Sequence, residues 1–219
     1  MSLWQGLLAI VITTLSAPAQ VIRFDGATVG TVPSGWFVAM THTGGPPQWQ
    51  IVRDPGAPSP PLVLAQTSRD RTAGRFPIAI WNGASIRDGV VSVAFKPISG
   101  SVDQAAGIVW QYQDADNYYI VRANALENNI VLYKVTNGVR LSIAPTGLPS
   151  RSYGVVHQVA RNVWSRLRVV FKSGDFSVFF NEEHVFDAQD ATFTKAGRTG
   201  LWTKADSVTY FDDFSVSGK

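Results

Sequence analysis

The stretch QDADNYYIVRANALENNIVLYK, residues 113–134, sets the carboxylates Asp114, Asp116 and Glu127 and a series of amides around two adjacent tyrosines and a short apolar run. Three chemistries use such side chains: a hard-cation loop, a carboxylate pair for acid–base work, or a polar face for a hydroxyl-rich ligand. An EF-hand loop fails on spacing. Asp114 and Asp116 stand at its first and third places, but Tyr118 occupies the fifth, Tyr119 replaces the turn glycine, and Ala125 stands where the bidentate Glu belongs. The local alternative is a decorated hairpin. Asp114 to Asn117 make an Asx turn into a strand over 117–124, and Glu127-Asn128-Asn129 turn the chain back.

Glycoside hydrolysis needs two carboxyls, one held as acid and one as base or nucleophile. The sequence has only three glutamates, Glu127, Glu182 and Glu183. NEEHVF at 181–186 reads as a solvated turn, which leaves Asp116 and Glu127 as the acid–base candidates. His42, His157 and His184 are isolated, and no G-x-S-x-G, Walker or G-x-G-x-x-G pattern occurs, so zinc, serine-nucleophile and nucleotide chemistry lack support. In YFDDF, residues 210–214, Asp212 has the parity of Phe214 and Val216 and is expected to face the interior. A buried carboxylate there needs a partner or a cation. Either a structural Ca2+ is shared with Asp25 of the early FDG turn, or Asp212 caps backbone amides at a bulge.

The elements that would position these residues read as strands. VVSVAFKPI (90–98), AAGIVWQY (105–112), NYYIVRAN (117–124), NIVLYKV (129–135), VWSRLRVVFK (163–172), DFSVFFN (175–181), TGLWTK (199–204) and SVTYFDDFSV (207–216) are rich in β-branched and aromatic residues. Turn signals such as Asn137-Gly138 and Ser173-Gly174 separate them. The proline-rich segment 43–61 is a surface loop with a strand at Trp49–Val52, and no sustained helical period is present. Many short strands in one chain imply an all-β, two-sheet antiparallel sandwich. Alternation turns Leu167, Val169, Phe171, Tyr119, Val121 and Ala123 inward, and Trp110 and Tyr112 with them. It leaves Gln111, Tyr118, Arg122, Asn124, Trp202 and Lys204 on wet faces as candidate ligand contacts.

Bulk properties narrow the class further. The chain has 219 residues, 45% hydrophobic and 16% charged, with a net charge of +3 and no basic run. Neither nucleic acid nor an anionic membrane is an expected partner. An apolar run from Leu7 to Leu15 followed by Ala17 and Ala19 in an A-x-A pattern reads as a signal peptide over 1–19, leaving one domain over 20–219 with no membrane contact after cleavage. The absence of cysteine and of any N-x-S/T sequon fits a secreted or periplasmic bacterial protein.

Four segments together resemble the concanavalin A-like lectin/glucanase superfamily, specifically laminin-G-like jelly rolls and the 3-keto-disaccharide hydrolase-like domains. They are RFDGATVGTVPSGW, AAGIVWQYQDADNYYIVRANALENNIVLYKVTNGVR, WSRLRVVFKSGDFSVFFNEEHVFDAQDATF and AGRTGLWTKADSVTYFDDFSV. The resemblance implies a concanavalin A-like jelly roll in a sugar-related role. Ala105-Ala106-Gly107-Ile108 stands where many hydrolase-labelled members carry N-S-G-I, so no catalytic residue is carried over. Three functions follow: a binding module for an oligosaccharide or polysaccharide through aromatic stacking and Arg, Asn and Lys hydrogen bonds, a hydrolase of a glycoside or 3-keto-disaccharide, or a jelly roll that meets a protein partner.

Overall fold

A computed structural model describes residues 19–219, so the expected signal segment lies outside the described residues except for Ala19. Among the described residues there is no helix. Sixteen strands follow in order. They are β1 (Gln20–Ile22), β2 (Trp36–Thr41), β3 (Trp49–Arg53), β4 (Leu62–Gln66), β5 (Phe76–Ile86), β6 (Gly89–Ser99), β7 (Ala105–Asp114) and β8 (Asn117–Asn124), then β9 (Asn129–Thr136), β10 (Val139–Ile143), β11 (Val155–Val156), β12 (Ser165–Lys172), β13 (Asp175–Phe180), β14 (Glu183–Gln189), β15 (Gly197–Trp202) and β16 (Val208–Gly218). Sheet A has the order β14-β13-β12-β6-β16-β4-β3, with β1 also on β16; sheet B has the order β10-β9-β8-β7-β15-β5-β2, with β11 also on β9. All pairs are antiparallel, and the two eight-stranded sheets form a jelly-roll sandwich, as the strand pattern implied.

Period-2 alternation builds the core between the sheets. Leu167, Val169 and Phe171 of β12 face inward while Arg166, Arg168 and Lys172 face out. Tyr119, Val121 and Ala123 of β8 meet them from sheet B. Trp110 stacks between Tyr119 at 5.4 Å and Phe171 at 5.9 Å. Such ring pairs add about 0.5–1.5 kcal/mol each beyond the area they bury.

Two bulges correct the expected faces. In β16 the register shifts between Asp212 and Ser215, and Asp213 takes φ 47°. Phe211 and Phe214 therefore both enter the core, and Asp212 lies opposite Ala94 on the outward side rather than toward the interior. Asp212 is still buried, because the loop after β3 covers it: Ser59 N–H donates to Oδ2 at 2.7 Å and Asp213 N–H to Oδ1 at 2.8 Å. In β7 the shift falls between Trp110 and Asp114, with Gln111 at φ 46°. Trp110 stays in the core, but Tyr112 goes to the opposite face of the sheet, and Gln111 is buried with Nε2 donating to Arg87 O.

That opposite face of sheet B carries a second apolar cluster: Phe76, Ile78, Ile80, Val109, Tyr112, Tyr118, Ile120, Val135 and Trp202. The sheet curls so strongly that one corner reaches the diagonally opposite end. Thr41, closing β2, donates to Ala115 O at 2.6 Å and accepts from Tyr118 Oη at 2.6 Å. His42 bridges Gly74 O at 2.7 Å and Gly138 O at 2.8 Å. The expectation that Tyr118 and Trp202 lie on a wet face is thereby corrected: both are 0% exposed. Alternation fixed their side of the sheet correctly, and the curl covered it.

Candidate functional site

The candidate polar residues collect where β8 ends and β9 begins. Arg122 of β8 is fully buried, and its Nη2 donates to Glu127 Oε2 at 2.7 Å and to Asn129 Oδ1 at 2.6 Å. Asn124, two residues on and therefore on the same face, donates through Nδ2 to Asp103 Oδ1 at 2.7 Å and accepts the Leu126 amide at 2.9 Å. Lys204, just past β15, donates to Asp103 Oδ2 at 2.6 Å. The strand register accounts for this meeting: Arg122 pairs with Val131 and Gly107, and Gly107 pairs with Trp202. Gly107 gives these strands close approach, since a Cβ there would lie 3.0 Å from the Val121 carbonyl oxygen.

A second layer holds Asp103 in place. Asp206 accepts the backbone amides of Ser101, Val102 and Asp103, which ties the loop before β7 to the turn before β16. Burial works against the ionised form of Asp206, but these amides together outweigh it and hold the carboxyl below its usual range. Beside this turn lies a cavity of about 390 Å3 lined by Arg69, Arg71, Ser99, Gly100, Ser101 and Asp206. Burial likewise opposes ionisation of Glu127, and the hydrogen bond and charge of Arg122 outweigh it, so Glu127 is held below the usual carboxylate range. Its side chain remains 39% exposed and can meet a ligand.

Aromatic rings border these groups. Arg122 Cζ lies 5.6 Å from the Tyr133 ring and 5.9 Å from that of Tyr153, and the two tyrosine hydroxyls share a hydrogen bond of 2.6 Å. Tyr153 is 49% exposed. Arg140 of β10 lies over Tyr133, Phe76 and Trp202 at 4.5, 4.8 and 5.7 Å.

Of the expected contacts, Arg122, Asn124, Lys204 and Glu127 come together. The structure gives Asn124 a positioning role, since its amide is spent on Asp103 and the turn; its expected exposure is corrected, as is that of Arg122. Gln111 sits apart, near the far end of β7, lining a cavity of about 320 Å3 with Arg87, Asp88 and Phe193. Asp116 lies in the turn before β8, where the Asp114 side chain accepts its amide, so strand β8 separates it from Glu127. Eight strand residues span roughly 25 Å, against the 5–9.5 Å that glycoside hydrolysis uses. Asp25 is exposed, and among the described residues no group of three or more His, Cys, Asp or Glu could hold a metal ion. Ca2+ takes six or more oxygens, which the pair Asp25 and Asp212 does not supply by itself.

Sequence reasoning missed Asp103, Asn129, Tyr133, Arg140 and Tyr153. The Asn137-Gly138 hairpin carried the signal for two of them, because its register pairs Arg140 with Val135 and so sets Arg140 on the face of Tyr133. Asp103 and Tyr153 stand in loops with no periodic signal.

No family model and no curated protein matches the sequence. Solved structures do match in fold. The carbohydrate-binding module CBM66 from Bacillus subtilis aligns with TM-score 0.62 and 18% identity over 82% of this chain and 93% of that one. The cellulose induced protein Cip1 aligns with TM-score 0.59 and 10% identity over 91% and 97%. Domain 4 of AbnA, a GH43 extracellular arabinanase from Geobacillus stearothermophilus solved with arabinotriose, aligns with TM-score 0.55 and 12% identity over 91% and 93%. At these identities the likeness defines the class of fold, a jelly-roll sandwich.

Proposed function

We propose that this protein is a non-catalytic carbohydrate-binding jelly roll that holds a glycan at the Arg122–Glu127–Lys204 end of sheet B. The observation that carries the reading is the convergence there of Arg122, Glu127 and Asn129 of the β8–β9 hairpin with Lys204 of the segment after β15, beside the half-exposed ring of Tyr153. Sugar sites have this composition: one ring for the apolar face of the pyranose or furanose, and a few fixed donors and acceptors for its hydroxyls. Tyr153 takes the stacking role expected of Tyr118 and Trp202, with the buried Tyr133 ring packed against it. The structural neighbours support the reading, one being a carbohydrate-binding module and one having been solved with arabinotriose. Export fits the same reading, through the apolar run ending in A-x-A and the cysteine-free composition.

A hydrolase, including the 3-keto-disaccharide type, and a protein-binding jelly roll are the competing functions. Incubating the purified protein with a panel of oligosaccharides and polysaccharides, while following free ligand and products by mass spectrometry, separates them. The expected result is ligand depletion without products, reduced about fivefold or more by Tyr153→Ala. New products, abolished by Glu127→Gln, would make the protein an enzyme. No depletion of any glycan would sink the binding reading.

A further inference from the structure

The sheet B face holds hydrogen-bond donors that the protein leaves unused. Arg140 makes no ion pair with a carboxylate among the described residues, and its buried Nη1 has no hydrogen-bond partner. Arg122 keeps Nε unpartnered in spite of its bonds to Glu127 and Asn129. Both guanidiniums lie within 6 Å of the Tyr133 ring, at 5.6 and 4.5 Å. A third, Arg198, is exposed over Phe37 at 5.7 Å with no carboxylate partner among the described residues. Arg122 pairs with Glu127 and Lys204 with Asp103, while Asp114 and Asp116 stand with Arg198 near Tyr112 at the other end of the face.

Buried polar groups in native proteins nearly always find a partner, and the exceptions call for an explanation. A neutral sugar hydroxyl both donates and accepts, so a site made for it offers donors and acceptors in mixture. Here the unused atoms are donors only, and Arg140 leaves one positive charge uncancelled. The complementary group accepts several hydrogen bonds, has no proton to give, and carries negative charge. The rings of Phe76, Tyr133 and Trp202 surround the Arg140 guanidinium, and arginine pairs with a planar anion through two parallel bonds. We infer that the glycan bound on this face is anionic, carrying carboxylate or sulfate groups, with Arg140 as the residue that selects the charge. This rests on the glycan-binding reading above and names the ligand class of the same site.

The test is a binding titration of the full chain against polygalacturonate and alginate (carboxylate), chondroitin sulfate (both groups), carrageenan (sulfate) and the neutral arabinan, levan and cello-oligosaccharides. The expected result is binding of one or more acidic glycans at least tenfold tighter than of the neutral ones, weakening as salt rises. Arg140→Gln should lose that preference, and Arg140→Lys, which keeps charge but not the bidentate edge, should fall between. The thermal midpoint of each variant checks that it folds, and the lysine variant keeps the test decisive if the glutamine variant does not. Binding only to carboxylate polymers, or only to sulfated ones, identifies the group. Preference for neutral glycans, or an acidic preference that survives both substitutions, overturns the inference and leaves the glycan-binding reading standing. Failure to bind any glycan removes both.

Discussion

The outward faces of the two sheets use similar residues to opposite ends. On sheet A, Lys96 lies over the rings of Trp164 and Tyr210 at 5.2 and 5.6 Å and pairs with Asp54. Arg168 lies 3.7 Å from the Phe179 ring and pairs with Glu182, while Arg166 reaches Asp213 at 3.3 Å. Each of these cations meets a carboxylate and the rings are part-buried, although Arg168 Nε and Trp164 Nε1 have no hydrogen-bond partner. Sheet B buries most of its rings, Phe37 being part-buried, and leaves Arg140 and Arg198 without carboxylates among the described residues. The difference teaches that aromatic content does not locate the site. What distinguishes the proposed binding face is Arg140, a guanidinium among three rings with no carboxylate partner among the described residues.

The largest expected effect separates the two faces by their tryptophans. Trp202→Ala removes a fully buried ring packed on Phe76, 5.3 Å away, and should cost about 3–5 kcal/mol of unfolding free energy. Trp164→Ala removes a part-buried ring that mainly shields Lys96, and should cost about 1 kcal/mol. Denaturant titration of both variants gives the comparison. Equal losses would mean that sheet B is not closed over its second cluster.

The fold was legible in the sequence because alternation and turn chemistry are local. β12, β8 and β9 fell within a residue or two of the expected runs, and the inward residues of β12 and β8 were assigned correctly. Arg122, Asn124 and Glu127 were legible as neighbours for the same reason, lying within five residues of one another. The curl was not legible, since it depends on Thr41 meeting Tyr118 and His42 meeting Gly138, contacts 77 and 96 residues apart. Parity told which face Tyr118 and Trp202 occupy but not what covers it. The bulge at Gln111 escaped too, because a single positive φ leaves little trace in composition and reverses every face beyond it, whereas the bulge beside Asp212 matches the alternative in which that carboxylate caps backbone amides.

A smaller effect contrasts two buried aspartates, Asp206 beneath the polar end of sheet B and Asp212 beneath the outer side of sheet A. The amide-capped Asp206 titrates below its usual value. Its contribution is present above the unfolded value of about 3.9 and is lost as pH falls through the folded one. Burial raises Asp212, with the charges of Asp213 and Asp25 adding to it, so its contribution is fully present below about pH 3.9 and lost as pH rises through its folded value. In thermal melts from pH 7 to pH 3, the stability gap between the native protein and Asp206→Asn, about 1–2 kcal/mol at neutral pH, should narrow. Relative to Asp212→Asn, the native protein should instead gain stability as pH falls. Parallel trends would show that the two carboxylates are not held in different environments.

The smallest effect concerns the contact that keeps sheet B curled. His42 is exposed, yet its two ring nitrogens face the carbonyls of Gly74 and Gly138, and only the doubly protonated ring donates to both. On sheet A the equally exposed His184 meets only Asp187 at 2.9 Å and the edge of Phe179. Exposed hydrogen bonds contribute about 0.5–1.5 kcal/mol each, so His42→Ala should cost about 1 kcal/mol, and His184→Ala less than about 0.5. Hydrogen exchange locates the change. The Gly138 amide, bonded to Asp116 O at 3.0 Å, should exchange faster in His42→Ala, while amides at the β13–β14 turn keep their rates in both variants. If Gly138 exchanges at its native rate without His42, the curl is held by Thr41 and the packed rings beneath it, and His42 only lies across a closure that is already made.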